Sequence, residues 1–203
     1  MTIPQPGTGR DSDLEIAAIS PTDPSLVFAR VTYAMGDKLG DRFYRSANAG
    51  QTWSPVLYVD DAVRGFVVRG NGEVLAASAT KGTWKSTDGG LTFLQQPTSL
   101  QTQCLVERSD GTLFACAQNF APDNMSVASS SDGATWTKVF RFSEAVGPVD
   151  CAADTLQCDV CAKTAWCGLR EQFGITADPT GCATPGADET VCSGAPPGPK
   201  SED

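Results

Sequence analysis

The sequence predicts an all-β fold class: an incomplete β-propeller of about three four-stranded blades, followed by a disulfide-rich C-terminal tail. Three observations carry that expectation. A turn motif recurs at blade spacing, hairpin sequences recur ahead of it, and eight cysteines are present, six of them crowded behind the last repeat.

The turn motif reads Ser46-Ala-Asn-Ala-Gly-Gln-Thr-Trp53, Ser86-Thr-Asp-Gly-Gly-Leu-Thr-Phe93 and Ser130-Ser-Asp-Gly-Ala-Thr-Trp136, with closing aromatics 40 and 43 residues apart. A propeller blade occupies about 40 to 50 residues, so each copy falls once per blade. The chemistry fits a tight turn. The Asx side chain (Asn48, Asp88, Asp132) can accept backbone N–H groups, Gly50, Gly90 and Gly133 admit the left-handed conformation, and Trp53, Phe93 or Trp136 anchors the returning strand in apolar packing.

Ahead of the second and third turns, Phe66-Val-Val-Arg-Gly-Asn-Gly-Glu-Val-Leu-Ala76 aligns without gaps on Leu105-Val-Glu-Arg-Ser-Asp-Gly-Thr-Leu-Phe-Ala115. Both read as β-hairpins, with Asn71-Gly72 and Asp110-Gly111 expected to supply the positive φ angles of tight turns. The first repeat differs, joining its strands through Ser20-Pro-Thr-Asp-Pro24, where proline fixes φ and interrupts pairing. The organisation expected is a flexible segment over 1–12 and blades over 13–142 (about 13–56, 57–98 and 99–142). A cysteine-rich segment with a short helix over 143–181 and a mobile tail over 182–203 complete it.

These turns resemble the Asp-box (bacterial neuraminidase, BNR) repeats of sialidase-like and sortilin-like propellers, over about three blades. The resemblance implies structural roles for Ser46, Asn48, Gly50, Trp53, Ser86, Asp88, Gly90, Phe93, Ser130, Asp132, Gly133 and Trp136, none of them catalytic. Asn48 stands where the family has Asp, and the third turn is one residue shorter. Sialidases carry an Arg-Ile-Pro stretch ahead of their boxes; this chain has Thr2-Ile3-Pro4 with no arginine before it, and its arginines are scattered.

Cys104 and Cys116 flank the Ser109-Asp-Gly111 turn symmetrically, so they should face each other across two antiparallel strands. A cross-strand disulfide is expected; two buried free thiols are the alternative. Cys151, Cys158, Cys161, Cys167, Cys182 and Cys192 lie in a segment too poor in apolar residues for a core, which points to three further disulfides of undetermined connectivity. Cys158-Asp-Val-Cys161 also admits a redox dithiol or half a zinc site, without a second ligand pair to support either. In Ala162–Phe173, Trp166, Leu169 and Phe173 share one face at helical spacing.

Composition narrows function by exclusion. A net charge of −9 disfavours nucleic acid, and the absence of histidine removes Ser-His-Asp and Cys-His catalysis. No apolar run is long enough for a membrane span. Cysteine density points to an extracellular, periplasmic or cell-surface location, although the chain shows no export signal. Asp60-Asp61 reads as solvated turn charge and not a cation site, and Trp84 as packed between blades. No catalytic residue, cofactor or metal is expected. The expectation is therefore a non-catalytic secreted propeller module that binds a protein or carbohydrate ligand or acts as a scaffold, the C-terminal part of a longer propeller or a chain that self-associates through open blade edges. The alternative is a fragment of a sialidase-like glycoside hydrolase whose catalytic residues lie in upstream blades.

Overall fold

The structure is a computed structural model. It describes residues 10–35, 38–97 and 100–145, together with Leu156, Trp166, Leu169, Gln172 and Phe173. The six C-terminal cysteines, residues 1–9 and the tail 182–203 lie outside the described residues.

Among the described residues, twelve strands form three separate four-stranded antiparallel meanders. Blade 1 contains β1 (Arg10–Ile19), β2 (Val27–Met35), β3 (Lys38–Ser46) and β4 (Ser54–Val59). Blade 2 contains β5 (Val63–Val68), β6 (Val74–Ser78), β7 (Thr83–Ser86) and β8 (Leu94–Gln95). Blade 3 contains β9 (Cys104–Glu107), β10 (Leu113–Cys116), β11 (Val127–Ser130) and β12 (Thr137–Phe140). The first strands lie side by side, β5 next to both β1 and β9. Sequential four-stranded meanders joined through adjacent inner strands are an incomplete β-propeller.

The strand register makes the blades superimposable residue by residue. Val27 pairs with Ser46, Val74 with Ser86 and Leu113 with Ser130, so Phe28, Leu75 and Phe114 are equivalent. β1 begins at Arg10, three residues before the expected boundary, because Arg10 and Asp11 still find partners in Ala34 and Tyr33 of the long β2.

The apolar core lies between blades. Phe43, Val59, Val63 and Ala76 form one cluster with Phe66 and Trp84 against it, and Phe28, Val68 and Val74 form a second with Phe93. Both draw on blades 1 and 2, and Trp84 packs at that junction. Phe66 stacks on Phe43 with ring centroids 4.6 Å apart and tilts onto Phe28 at 5.2 Å. Within blade 3, Leu100, Ala115 and Ala128 collect Leu105 and Trp136.

One sequence expectation needs correcting. Asn71 and Asp110 do not have positive φ; only Gly72 (φ 88°) and Gly111 (φ 85°) do. Gly72 N–H donates to Arg69 O and Arg69 N–H to Glu73 O, and Gly111, Arg108 and Thr112 repeat the pattern. These are three-residue hairpin loops, a type I turn closed by a left-handed glycine, not two-residue primed turns. The Asn and Asp act instead through their side chains, accepting from the N–H of Glu73 and Thr112.

The chain divides into two compact units, 1–140 and 141–203. In the second, a 3-10 turn spans Phe142–Glu144, Phe142 stacks on Phe173 at 4.6 Å, and Phe173 N–H donates to Leu169 O, the i−4 bond of an α-helix. Leu156, Trp166, Leu169 and Gln172 are helical; Trp166 is buried and Leu156 exposed. No helix among the described residues is long and apolar enough to cross a membrane.

Candidate functional site

The three turns share one wiring. In each, the serine hydroxyl donates to the Asx carbonyl or carboxylate oxygen two residues on: Ser46 to Asn48 at 2.9 Å, Ser86 to Asp88 at 2.7 Å, Ser130 to Asp132 at 3.0 Å. The same serine oxygen accepts the N–H of the turn glycine, Gly50, Gly90 or Gly133, at 2.8–2.9 Å. The Asx oxygen then accepts backbone N–H groups further on: Thr52 for Asn48, Leu91 and Thr92 for Asp88, Ala134 and Thr135 for Asp132. In the shorter third turn the glycine follows the serine by three residues instead of four. Trp53 Nε1 closes the first turn on Gly50 O at 2.9 Å.

This wiring sets the charge state. The Thr92 hydroxyl and N–H, with Ser86, hold Asp88 well below the ordinary carboxyl range, and the N–H groups of Thr135 and Ala134 hold Asp132 at about 2. Both are ionised acceptors near neutral pH and cannot serve as proton donors.

Cationic side chains bind these turns across blade junctions. Arg45, immediately before Ser46, donates from Nε to Gly89 O in the second turn at 2.8 Å. Lys85, immediately before Ser86, donates to Asp132 O in the third at 3.0 Å. Position 129 holds serine. The turn glycines sit under the preceding blade: a Cβ on Gly90 would lie 2.4 Å from the Phe28 ring, and one on Gly133 2.9 Å from Leu75. Blade 1 also grips the blade 2 backbone at Val63, whose N–H donates to buried Asp41 at 2.7 Å while its carbonyl accepts from Arg30 at 2.7 Å.

A concavity of about 790 Å³ opens at the hairpin-turn end of blades 2 and 3 and is lined by Arg69, Asn71, Glu107, Arg108, Asp110 and Ser131, among others. Arg69 is its buried node, 4% exposed. It binds Glu73 at 2.6 Å, Glu107 at 2.9 Å, and the carbonyls of Gly111 and Ser131 at 2.8 and 3.0 Å. Lys85 adds a second cation to Glu73 at 2.7 Å. Desolvation pushes the Glu73 carboxyl up, but Lys85, Asn71 and Arg69 together bring it below its ordinary value. At the rim Arg108 pairs with Asp110 and lowers the Asp110 carboxyl.

The expected disulfide joins Cys104 and Cys116, Cα atoms 4.8 Å apart. The corresponding cross-strand position holds the Glu15–Arg30 ion pair in blade 1, at 2.8 Å, and Gly65 opposite Ala77 in blade 2. Asp61 accepts from the N–H and hydroxyl of Thr80, and no cluster of His, Cys, Asp or Glu among the described residues is arranged to hold a metal. Sequence reasoning read the arginines as scattered and missed Arg45, Lys85 and Arg69 as junction residues. For Arg45 and Lys85 a signal was present, a cation immediately before the turn serine in two repeats; for Arg69 none was, since Arg108 aligned on it does not reach across.

No protein-family model matches the chain, and no curated protein sequence does. Among solved structures it is similar to the GH74 enzyme of Niastella koreensis, at 17% identity and TM-score 0.46, over 62% of this chain and 22% of that one. It is similar to the GH74 xyloglucanase from Xanthomonas campestris at 15% identity and TM-score 0.48, over 60% and 22%. It is also similar to YCF48 from Cyanidioschyzon merolae at 16% identity and TM-score 0.45, over 66% and 38%. The chain thus corresponds to 22% of each GH74 chain and 38% of that YCF48 chain.

Proposed function

We propose that the chain is a non-catalytic stretch of Asp-box propeller that acts outside the cytoplasm, binding or scaffolding a protein or glycan ligand at the hairpin-end concavity. The observation that carries this reading is the use made of the charged groups there. Arg69 directs every guanidinium nitrogen to a protein acceptor, and Glu73 and Glu107 are held by it. A glycoside hydrolase needs one carboxyl kept protonated opposite a second, ionised one. The described carboxyls with a displaced pKa (Asp23, Asp61, Glu73, Asp88, Asp110 and Asp132) are all displaced downward, which suits acceptors of structural hydrogen bonds.

The Ser-x-Asx wiring, present three times at 40- and 43-residue spacing, supports the Asp-box reading, and the Cys104–Cys116 bridge supports passage through an oxidising compartment. Asn71 and Ser109 stand exposed at the rim of the concavity. The test pairs two assays on the purified chain: turnover of a panel of aryl glycosides, aryl sialosides included, and binding to immobilised glycans and peptides. The expected result is no turnover above background, with saturable binding weakened by Asn71→Ala. Turnover that is lost in Asp110→Asn would replace this reading with the hydrolase one.

A further inference from the structure

We propose that Asn124 is a modification site, an N-glycosylation acceptor that receives its oligosaccharide before blade 3 folds. Asn124-Met-Ser126 is the one Asn-x-Ser/Thr triplet in the sequence, and its middle residue is not proline. The fold places it where an acceptor has to stand, on a surface loop. That loop joins β10, which ends at Cys116, to β11, which begins at Val127. The equivalent step is far shorter in the other blades, from Met35 to Lys38 in blade 1 and from Ser78 to Thr83 in blade 2. Phe120, Ala121, Pro122 and Asn124 are exposed on it. Asn124 has φ 55°, a left-handed conformation that asparagine tolerates. Its Nδ2 reaches Pro122 O at 3.4 Å, longer than the ordinary range of about 2.7–3.2 Å, so a sugar on that nitrogen displaces no good hydrogen bond. The loop is held by other groups. Asp123 Oδ2 accepts the N–H of Gln118 at 3.0 Å and of Gln101 at 3.1 Å, and the N–H groups of Asn124 and Met125 donate to Phe120 O and Gln118 O.

The third residue of the triplet sets the order of events. A transferase reads the Ser126 hydroxyl together with the Asn124 amide, but in the folded blade Ser126 is 6% exposed and its hydroxyl donates to Asn119 Oδ1 at 2.9 Å. Its backbone is paired as well, with Ala117 and Phe140. The triplet is therefore readable only while blade 3 is still open. The donor is a polyprenyl-diphosphate-linked oligosaccharide in the compartment that receives the chain. Asn124 Nδ2 forms a bond to the anomeric carbon, the bond from that carbon to the diphosphate oxygen breaks, the lipid diphosphate leaves with the electron pair, and one amide proton is lost. Successive connections of a meander alternate between its two ends. The β10–β11 loop thus lies at the opposite end of blade 3 from the β11–β12 turn, where Ser131 lines the concavity, and the sugar leaves the concavity open.

The proposal rests on the reading that the chain acts outside the cytoplasm, which the Cys104–Cys116 bridge supports, and not on ligand binding. It is tested by mass spectrometry of the tryptic peptide Ser109–Lys138 from the protein made by its own cells, beside Asn124→Asp, which keeps a residue tolerant of the left-handed conformation. The expected result is a glycan on the parent peptide that peptide-N-glycosidase removes in heavy-oxygen water, leaving a labelled aspartate at 124, and no glycan on Asn124→Asp. An exported chain with the Cys104–Cys116 bridge formed and Asn124 bare overturns the proposal and leaves the location reading intact. A chain found only in the cytosol, with both cysteines as thiols, overturns both. The order of events is tested on unglycosylated chain given solubilised transferase and donor: the reduced, unfolded chain is expected to be modified and the folded one not, and equal modification of the two overturns it.

Discussion

Arg69 and Arg108 occupy the same place in consecutive repeats, and their backbones do the same thing. Each opens a three-residue hairpin loop, donating its N–H four residues on and accepting from the left-handed glycine. Their side chains part company. Arg69 is 4% exposed and binds two carboxylates and two carbonyls, three of these four groups belonging to blade 3. The Arg108 side chain is 58% exposed and pairs with its own loop at Asp110. Local sequence therefore determines the turn, and the neighbouring blade determines what the side chain is for. Stability in such an array resides as much in the junctions as in the blades, as expected where each repeat contacts its neighbours.

The largest test of that contrast is truncation of each arginine. Arg69→Ala removes the cation from Glu107 and Glu73, and breaking one partner of a buried pair costs about 3–5 kcal/mol. Arg108→Ala removes an exposed, solvent-screened pair and is expected to cost far less. Urea unfolding of the two variants measures both. Equal losses would mean that the blade 2–blade 3 junction is no stronger than its surface counterpart.

Much of this was legible in sequence, for a physical reason: the legible parts are local. The 40- and 43-residue period, the wiring from Ser86 to Thr92 and the facing of Cys104 and Cys116 each lie within one turn or one hairpin. What escaped was non-local. Arg45 meets Gly89 across 44 residues and Arg69 meets Ser131 across 62, and no pattern within one repeat shows where an arginine will end. The hairpin loops escaped for a subtler reason. Asn-Gly and Asp-Gly serve both primed turns and glycine-closed type I turns, and the choice rests on pairing register.

A second, smaller contrast concerns the cross-strand site that holds an ion pair in blade 1 and a disulfide in blade 3. The bridge closes a loop with a sequence separation of 12. Restricting the unfolded chain over such a loop is worth about 3 kcal/mol in the chain-entropy account. Replacing Cys104 and Cys116 together by alanine should lower stability by about that amount. Glu15→Gln, at a partly exposed pair, should cost under about 1 kcal/mol. Denaturant midpoints compare the two, and a disulfide no more valuable than the ion pair would indicate that blade 3 is already constrained in the unfolded chain.

The smallest effect separates the first turn from the other two. Asp88 and Asp132 have carboxyls held below the ordinary 3.8, Asp132 at about 2, whereas Asn48 supports the same turn without titrating. A carboxyl lowered in the folded state leaves that state binding fewer protons than the unfolded chain. Its contribution is therefore complete above about pH 4 and is lost as pH falls through the folded value. Asn48 shows that an amide can take the position, since its Nδ2 donates to the Thr52 hydroxyl at 2.9 Å where Asp88 instead accepts from Thr92. The Asp88→Asn and Asp132→Asn double variant should accordingly lose less stability than the parent between neutral pH and about pH 3. Asn48→Asp should lose more. Urea midpoints measured at both pH values decide it: an unchanged acid slope in both variants would mean that the turns do not carry the acid sensitivity of blades 2 and 3.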